Sequence, residues 1–567
     1  MIKNRFPVLR WKMFTHTRSI ILLSTVLLFA CSQEEAPPRL VIMISMDHLA
    51  YHSYEHYSPI FTSGFKWLAD HGISFDNAHL EHGNAATGPG HFVLGSGLHP
   101  GPAEMLGNSW YDRRQNKDIY CVEDPNAKAL EIPANSVSYQ QLNATTFGDW
   151  LKATSPGSKV YSVACKDRAA ILMGGKNPDL AIWYNWRGAF TTTDYYTDSI
   201  PTWLTEFNSS VNMISYRDSI WTKSYPESLY ASYAHADSFY GETDRYLSEE
   251  YSPVFPIGFE ATWDDKKIFE EMGGRPWMDR ITLDLASTIV NEANLGKDDM
   301  PDVLCVGLST MDIIAHYYGP YSHEAMDLLL KVDQYLGEFL QGLDQQIGLE
   351  NVTIVMTTDH GGLPLPEHWT GIMGEQGGRV DEAQYLATRA KAYNQLDSLY
   401  GNHDFILRKG SAYYYDYQML DSMGVDMDRV NSIIQSHMES VDGVSRVYTK
   451  AELLHPKRDD PSAIRLSHFT HPDLSPDLYT LLERGWLFRN PFGTSHGTPY
   501  DYDSHVPLIF SRLSYTPVMV TDSVATIDIA ATLGDILGVK PLNPIDGKSL
   551  IELFPGAVKR MSSAAKD

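Results

Sequence analysis

Cysteine is scarce in this chain, four in 567 residues, and at that density a disulfide-built framework is excluded. Cys31 closes an apolar run. Cys121, Cys165 and Cys305 are an odd number, so one bridge could form among them but complete pairing within the chain cannot. Cys305 stands inside an apolar strand pattern and reads as a small buried hydrophobe. Positive charge is also short: 45 Lys and Arg face 71 Asp and Glu, for a formal net charge of −26. General binding to nucleic acid needs a basic face, and this composition offers none. Any phosphate the chain handles must be gripped locally, by metal or by a few placed cations. Long hydrophobic runs are missing as well. The run Ile20–Ala30 has the length of a secretory h-region and is too short to span a bilayer. There is no internal repeat, no low-complexity tract and no GxGxxG around the first strand. The Asp546-Gly-Lys548-Ser549 stretch resembles the tail of a phosphate loop, but Leu542 stands where the leading glycine is required.

Five basic residues (Lys3, Arg5, Arg10, Lys12 and Arg18) lead into the apolar run, which ends Leu28-Phe29-Ala30-Cys31. This resembles a bacterial lipoprotein signal, cleaved before a cysteine that is then lipidated; a plain secretion signal is the alternative, and Met13 is a second candidate start. Residues 1–30 are therefore expected to be a signal peptide and 31–38 a tether. The expected location is the bacterial cell envelope, periplasm or outer membrane, with membrane attachment through lipidated Cys31.

Beyond the tether, strand-type apolar runs recur at Leu40–Met46, Lys159–Ala164, Val303–Leu308, Val352–Met356 and Val506–Ser511. Helical stripes lie between them, clearest at Leu328, Leu329, Val332, Leu336, Phe339, Leu340 and Leu343. Ile527–Gly538 reads as a helix closed by glycine. The alternation predicts an α/β fold, a mostly parallel central sheet flanked by helices. Two segments interrupt it. Residues of about 183–275 are aromatic with weak periodicity and read as an insertion over the site. Residues of about 363–492, with a strand at Ser411–Tyr417, a helix face at Val430–Val441 and a strand at Val444–Tyr448, read as an inserted α+β subdomain.

Chemistry-bearing residues collect at strand ends. Asp47 follows Leu40–Met46, Asp312 and His316 follow Val303–Leu308, and Asp359-His360 follows Val352–Met356. Open parallel sheets place ligands at the carboxyl ends of their strands, and two adjacent ends carrying Asp with His suggest a two-metal centre. Thr87 precedes Gly-Pro-Gly-His91. It is either an ordinary N-cap or a nucleophile at a helix N-terminus, where free N–H groups favour an anion. Lys166 and Arg168 follow the strand Lys159–Ala164; if extended, their side chains could share one side and grip a phosphoryl group, and a solvated charged turn is the alternative. His496, between glycines and small hydroxyls, could finish a ligand set, with His505 the structural partner. Asn108 supplies an amide donor in a loop, where asparagine is often merely structural.

In order along the chain, Asp47, Thr87, Asn108, Lys166/Arg168, Asp312/His316, Asp359/His360 and His496 resemble the alkaline phosphatase superfamily. The similarity is greatest to its phosphate-irrepressible, threonine-nucleophile branch, carried by T-G-P-G-H, K-D-R, D-x-x-x-H, T-D-H-G-G and G-T-S-H-G-T-P-Y-D, and it implies one catalytic domain over residues 39–555. The resemblance implies two zinc ions per chain, one on Asp312, His316 and His496, the other on Asp47, Asp359, His360 and the Thr87 oxygen. It implies Thr87 as nucleophile, a phospho-threonine intermediate, small-molecule phosphate monoesters as substrates, and Asn108, Lys166 and Arg168 as the phosphoryl-holding groups. No Cys/Ser-x-Pro-x-Arg stretch is present, which disfavours the sulfatase branch. Two rivals stand: a phosphodiesterase or nucleotide pyrophosphatase on the same site, and a non-catalytic envelope lipoprotein. Oligomeric state is open.

Overall fold

The computed structural model describes residues 37–130, 134–242 and 254–555. The signal segment, Cys31 and most of the tether lie outside them. Among the described residues no helix is long and apolar enough to cross a membrane, and Cys121, Cys165 and Cys305 are all buried free thiols, so the single bridge left open above does not form.

Ten strands build the main sheet. In spatial order they are Val518–Val520, Gly72–His79, His505–Ser511, Val352–Thr357, Leu40–Met46, Asp302–Leu308, Val160–Ala164, Leu180–Tyr184 and Phe190–Thr191, with Val524–Ala525 also pairing Gly72–His79. The five central strands from Val352 to Leu180 run parallel; the antiparallel pairings are made by His505–Ser511 and by Phe190–Thr191. Every residue of the Leu40, Asp302 and Val352 strands is buried, which is why they read as continuous apolar runs. Alternation divides them between two cores: Leu40, Ile42, Ile44 and Met46 face one helical layer, Val41 and Met43 the other.

Register positions the site. Met46 pairs with Leu308, Ser45 with Thr357, and Ala164 with Gly307. Four strands thus end side by side, and whatever follows each of them arrives at one edge; the two strands followed by Asp with His are not the adjacent pair expected but flank Leu40–Met46.

The segment 378–489 forms a second sheet, Ile406–Lys409, Ala412–Tyr415, Leu478–Leu482 and Val444–Thr449, covered by helices Glu382–Tyr400 and Met427–Met438 over its own apolar core. The strand expected at Ser411–Tyr417 is shorter, Ala412–Tyr415, because Asp416 caps a helix that begins at Tyr417. The aromatic segment starts on the sheet itself, inside Leu180–Tyr184. It is tied to the helix His323–Ile347 through Asp327, which accepts from Trp221 Nε1 (2.5 Å), Tyr230 hydroxyl (2.5 Å) and Ser224 N (2.7 Å).

Candidate metal and phosphoryl centre

Asp47 ends the first strand with its N–H still donating to Leu308 O (2.9 Å). Asp312 and His316 lie one turn apart on the helix Thr310–Tyr318, a spacing that puts both on one face. Asp359 and His360 follow Val352–Thr357 directly, and His496 sits in the loop before His505–Ser511. That loop is fastened by Asp503, whose carboxylate accepts from Gly497 N (2.9 Å), Thr498 N (2.7 Å) and Thr498 Oγ1 (2.7 Å).

The side chains converge. Asp312 Oδ1 stands 3.5 Å from His316 Nε2, 3.5 Å from His496 Nε2 and 4.0 Å from His360 Nε2. His360 Nε2 is 3.3 Å from Asp359 Oδ2, and the rings of His360 and His496 stack at 3.7 Å. Donor atoms bound at about 2.0–2.1 Å in a tetrahedral site lie roughly 3.4 Å apart, so these separations suit a metal. The tautomers suit one as well. Nδ1 of His316, His360 and His496 each faces a backbone carbonyl, of Thr494 (2.9 Å), Gly361 (2.8 Å) and Ala85 (2.5 Å). Each Nδ1 must therefore donate, leaving the Nε2 lone pair toward the carboxylates, the arrangement typical of ligating histidine. Asp359 Oδ2 and His360 Nε2 are buried without a hydrogen-bond partner, and buried polar atoms are rarely left so. The residues fit a metal centre.

Thr87 is the first residue of the helix Thr87–Ser96, and Ala86 is the N-cap. The N-cap position is therefore not Thr87, which removes the N-cap reading, and the bond its hydroxyl receives comes from Arg168. The helix comes close because Gly90 packs on the Asp359 backbone; a Cβ there would sit 2.3 Å from Asp359 O. Asn108 Oδ1 accepts from Gly88 N at 2.6 Å. Lys166 and Arg168 are not in an extended segment: Lys166 is the N-cap of the helix Asp167–Gly174 and Arg168 lies in its first turn. They reach the centre from that helix N-terminus. Lys166 Nζ bridges Asp312 Oδ2 (2.6 Å) and Asp47 Oδ2 (2.9 Å), while Arg168 Nη2 stands 3.4 Å from Thr87 Oγ1.

The electrostatics follow from crowding charges in a buried place. Burial pushes Asp47 up, but Lys166 and His91 outweigh it and hold the acid at about 2. Asp359, with burial and the neighbouring Asp47 both opposing its charge, rises to about 6. Burial drives His316 down to about 3, and burial with His496 drives His360 well below its ordinary range. Burial opposes charge on Lys166, but Asp312 and Asp47 raise it overall.

Two residues at the centre escaped the sequence reading. His91, inside the Thr-Gly-Pro-Gly-His stretch and one turn from Thr87, places Nε2 3.4 Å from Asp47 Oδ1 and Nδ1 3.4 Å from Asp359 Oδ2; its i+4 spacing was the available signal. His48, next to Asp47, places Nδ1 2.8 Å from Asp312 Oδ1. Its role depends on a backbone angle that residue type does not announce.

Carboxylates and imidazoles at the carboxyl edge of a mostly parallel sheet, beside a hydroxyl and two cations, define a metal-dependent hydrolase of the alkaline phosphatase superfamily. The sequence model of the type I phosphodiesterase / nucleotide pyrophosphatase family matches residues 41–505, and the chain belongs to that family. Alkaline phosphatase PafA of Elizabethkingia meningoseptica is 28% identical over 91% of this chain and 94% of its own length. Alkaline phosphatase PhoV of Synechococcus elongatus is 28% identical over 92% and 94%. The crystal structure of wild-type PafA matches with a TM-score of 0.82 at 26% identity, covering 91% of this chain and 99% of that one. Murine ectonucleotide pyrophosphatase / phosphodiesterase 5, at 13% identity and a TM-score of 0.50, shares the fold. The chain is an alkaline-phosphatase-type hydrolase, and the non-catalytic reading is set aside.

Proposed function

We propose that this enzyme hydrolyses phosphate monoesters through a phospho-threonine intermediate on Thr87. The observation that carries the reading is the meeting of Thr87 Oγ1 with Arg168 Nη2 at 3.4 Å, beside Lys166 and both carboxylate clusters. Asp312, His316 and His496 would hold one divalent cation and Asp47, Asp359 and His360 another, with the Thr87 oxygen joining the second set. When bound, two zinc ions, which this Asp/His donor set suits, would supply Lewis acidity and positive charge at the reacting oxygens.

The chain's own groups do the rest. Thr87 Oγ1 attacks phosphorus in line with the ester oxygen, the bond to the alcohol breaks, and the alcohol leaves with a proton. Water then displaces Thr87, restoring its hydroxyl and releasing inorganic phosphate. Arg168 and Asn108 hold the non-bridging oxygens, with Asn108 fixed by its bond from Gly88 N. Lys166 bridges Asp47 and Asp312 and offsets part of their negative charge beside the phosphoryl group. The transition state of phosphoryl transfer is loose, so positioning and charge placement supply most of the rate.

A second reading, a diesterase, is favoured by the family's name. A diester carries one negative charge fewer, and cations crowded at the nucleophile suit it less. Zinc content together with paired hydrolysis of an aryl phosphate and its methyl aryl diester tests the proposal. Zinc-loaded enzyme turning over the diester faster than the monoester would reverse it. We also propose export, with anchoring through lipidated Cys31 in the cell envelope. The composition of the leader supports this, and loss of lipid labelling in Cys31→Ala tests it.

A further inference from the structure

The turn after Asp47 puts a histidine where a side chain is seldom accommodated. His48 has φ +68°, a left-handed conformation uncommon for residues other than glycine, although histidine enters it more often than most, and it is 1% exposed. Such outliers persist only where the surroundings hold them, and they cluster at functional sites. The surroundings here are specific. The backbone N–H of His48 donates to Asp359 Oδ1 at 3.2 Å, and its Nδ1 lies 2.8 Å from Asp312 Oδ1. Its ring meets those of His316, His360 and His496 edge-on, with centroids 5.3, 5.4 and 5.1 Å away. The far side of the ring rests on Gly362, where a Cβ would fall 1.7 Å from His48 Nε2. A side chain at 362 would expel the imidazole.

We propose that His48 is a positioning residue that ties the two ligand clusters together, its imidazole fixing the Asp312 carboxylate and its backbone fixing Asp359. The inference rests on the metal assignment above. The 2.8 Å separation is that of a hydrogen bond, shorter than the roughly 3.4 Å between two donors on one tetrahedral zinc. Nδ1–H therefore donates to Asp312. With Oδ1 held by His48 and Oδ2 by Lys166 at 2.6 Å, the carboxylate cannot rotate away from His316 and His496. Partners of this kind behind a ligand govern metal affinity about 10–100-fold.

Two substitutions separate the hydrogen bond from the backbone turn. Asparagine tolerates the left-handed conformation and carries an amide nitrogen near the position of Nδ1; glycine fits the turn best but offers no donor. The measurement is the rate at which zinc leaves the purified holoenzyme into excess chelator, followed with a metal-sensitive dye and no substrate. From His48→Gly one equivalent should leave about 10–100-fold faster than from the parent, and from His48→Asn within about threefold of it. Parent-like release from His48→Gly would show that the ring holds nothing. Release from His48→Asn as fast as from His48→Gly would show that the donor is not what matters. Either result overturns this inference alone, whereas a parent enzyme that retains no zinc would overturn the metal reading beneath it.

Discussion

Arg168 Nη2 stands 3.4 Å from Thr87 Oγ1, a contact between the first turns of two different helices. A guanidinium offers two parallel N–H donors, and one that reaches a nucleophilic oxygen also reaches the oxygens of the group being attacked. Thr87 lies one residue past the N-cap, Ala86, so its hydroxyl is not the one that closes the helix.

Replacing Thr87 with alanine should therefore leave the fold and most of the metal binding in place while removing the covalent route. Activity should fall on the order of 10³-fold or more, as when one member of a catalytic unit is deleted. Steady-state hydrolysis of an aryl phosphate, with zinc content measured on the same preparation, checks this. Activity within a factor of three of the parent would end the assignment.

His496→Ala should cost metal and activity together. His496 Nε2 faces Asp312 Oδ1 at 3.5 Å while Nδ1 is tied to Ala85 O, so the substitution leaves Asp312 and His316 a donor short. Even losses behind the ligand shell cost about 10–100-fold in affinity, and a lost ligand should exceed that. Elemental analysis after dialysis reads it out; two zinc ions per chain in the variant would contradict the ligand role.

Much of this centre was legible because strand ends are punctuated: an apolar β-branched run that stops at Asp, or at Asp-His, marks both the strand and its ligand. What could not be read is that Met46 finishes between Leu308 and Thr357, so that the two Asp-His strands flank the Asp47 strand instead of adjoining each other, since strand order and register are set by non-local pairing. The cationic pair was found for a reason that does not hold. Lys166 and Arg168 meet the site from a helix N-terminus, because Asp167 opens the helix and its Oδ1 accepts Arg168 N at 2.7 Å. His48 stayed hidden because its direction depends on its own left-handed backbone, and the modest enrichment of histidine in that region marks no single position.

Buried neutral histidine makes stability depend on pH, and His82 isolates the effect. It is 1% exposed, its Nε2 has no hydrogen-bond partner, and burial, with His99 and His468 adding, pushes its pKa down to about 3. A folded pKa below the unfolded value of about 6.5 means that the unfolded chain binds the extra proton between those limits. The stability His82 contributes is thus complete above about pH 6.5 and lost as pH falls, by about 2 kcal/mol at pH 5. Comparing urea midpoints of the parent and His82→Leu at pH 7.5 and pH 5 cancels the titration of groups that do not interact with His82. The parent should lose ground to the variant at pH 5; an unchanged gap would mean that His82 is already charged or solvated.

The choice between monoester and diester rests on the two cations. A monoester leaves its non-bridging oxygens charged, whereas a diester blocks one with an organic group. Lys166 is 4% exposed, and its ammonium bridges Asp47 and Asp312 at 2.9 and 2.6 Å, offsetting one of their two charges. Hydrogen bonds to charged groups are worth roughly 1.5–3 kcal/mol each. Truncating Lys166 and Arg168 to alanine should then lower monoester kcat/KM by on the order of 10²–10⁴-fold, since 1.36 kcal/mol is a factor of ten. Diester hydrolysis should fall much less, because its transition state lacks one of the charged contacts. Zinc content must accompany the kinetics, as losing the Lys166 bridge leaves two buried carboxylates facing each other. Both substrates are measured on one preparation of the double variant. An equal loss on monoester and diester would show that the pair serves folding or metal placement, and the monoesterase assignment would lose its main support.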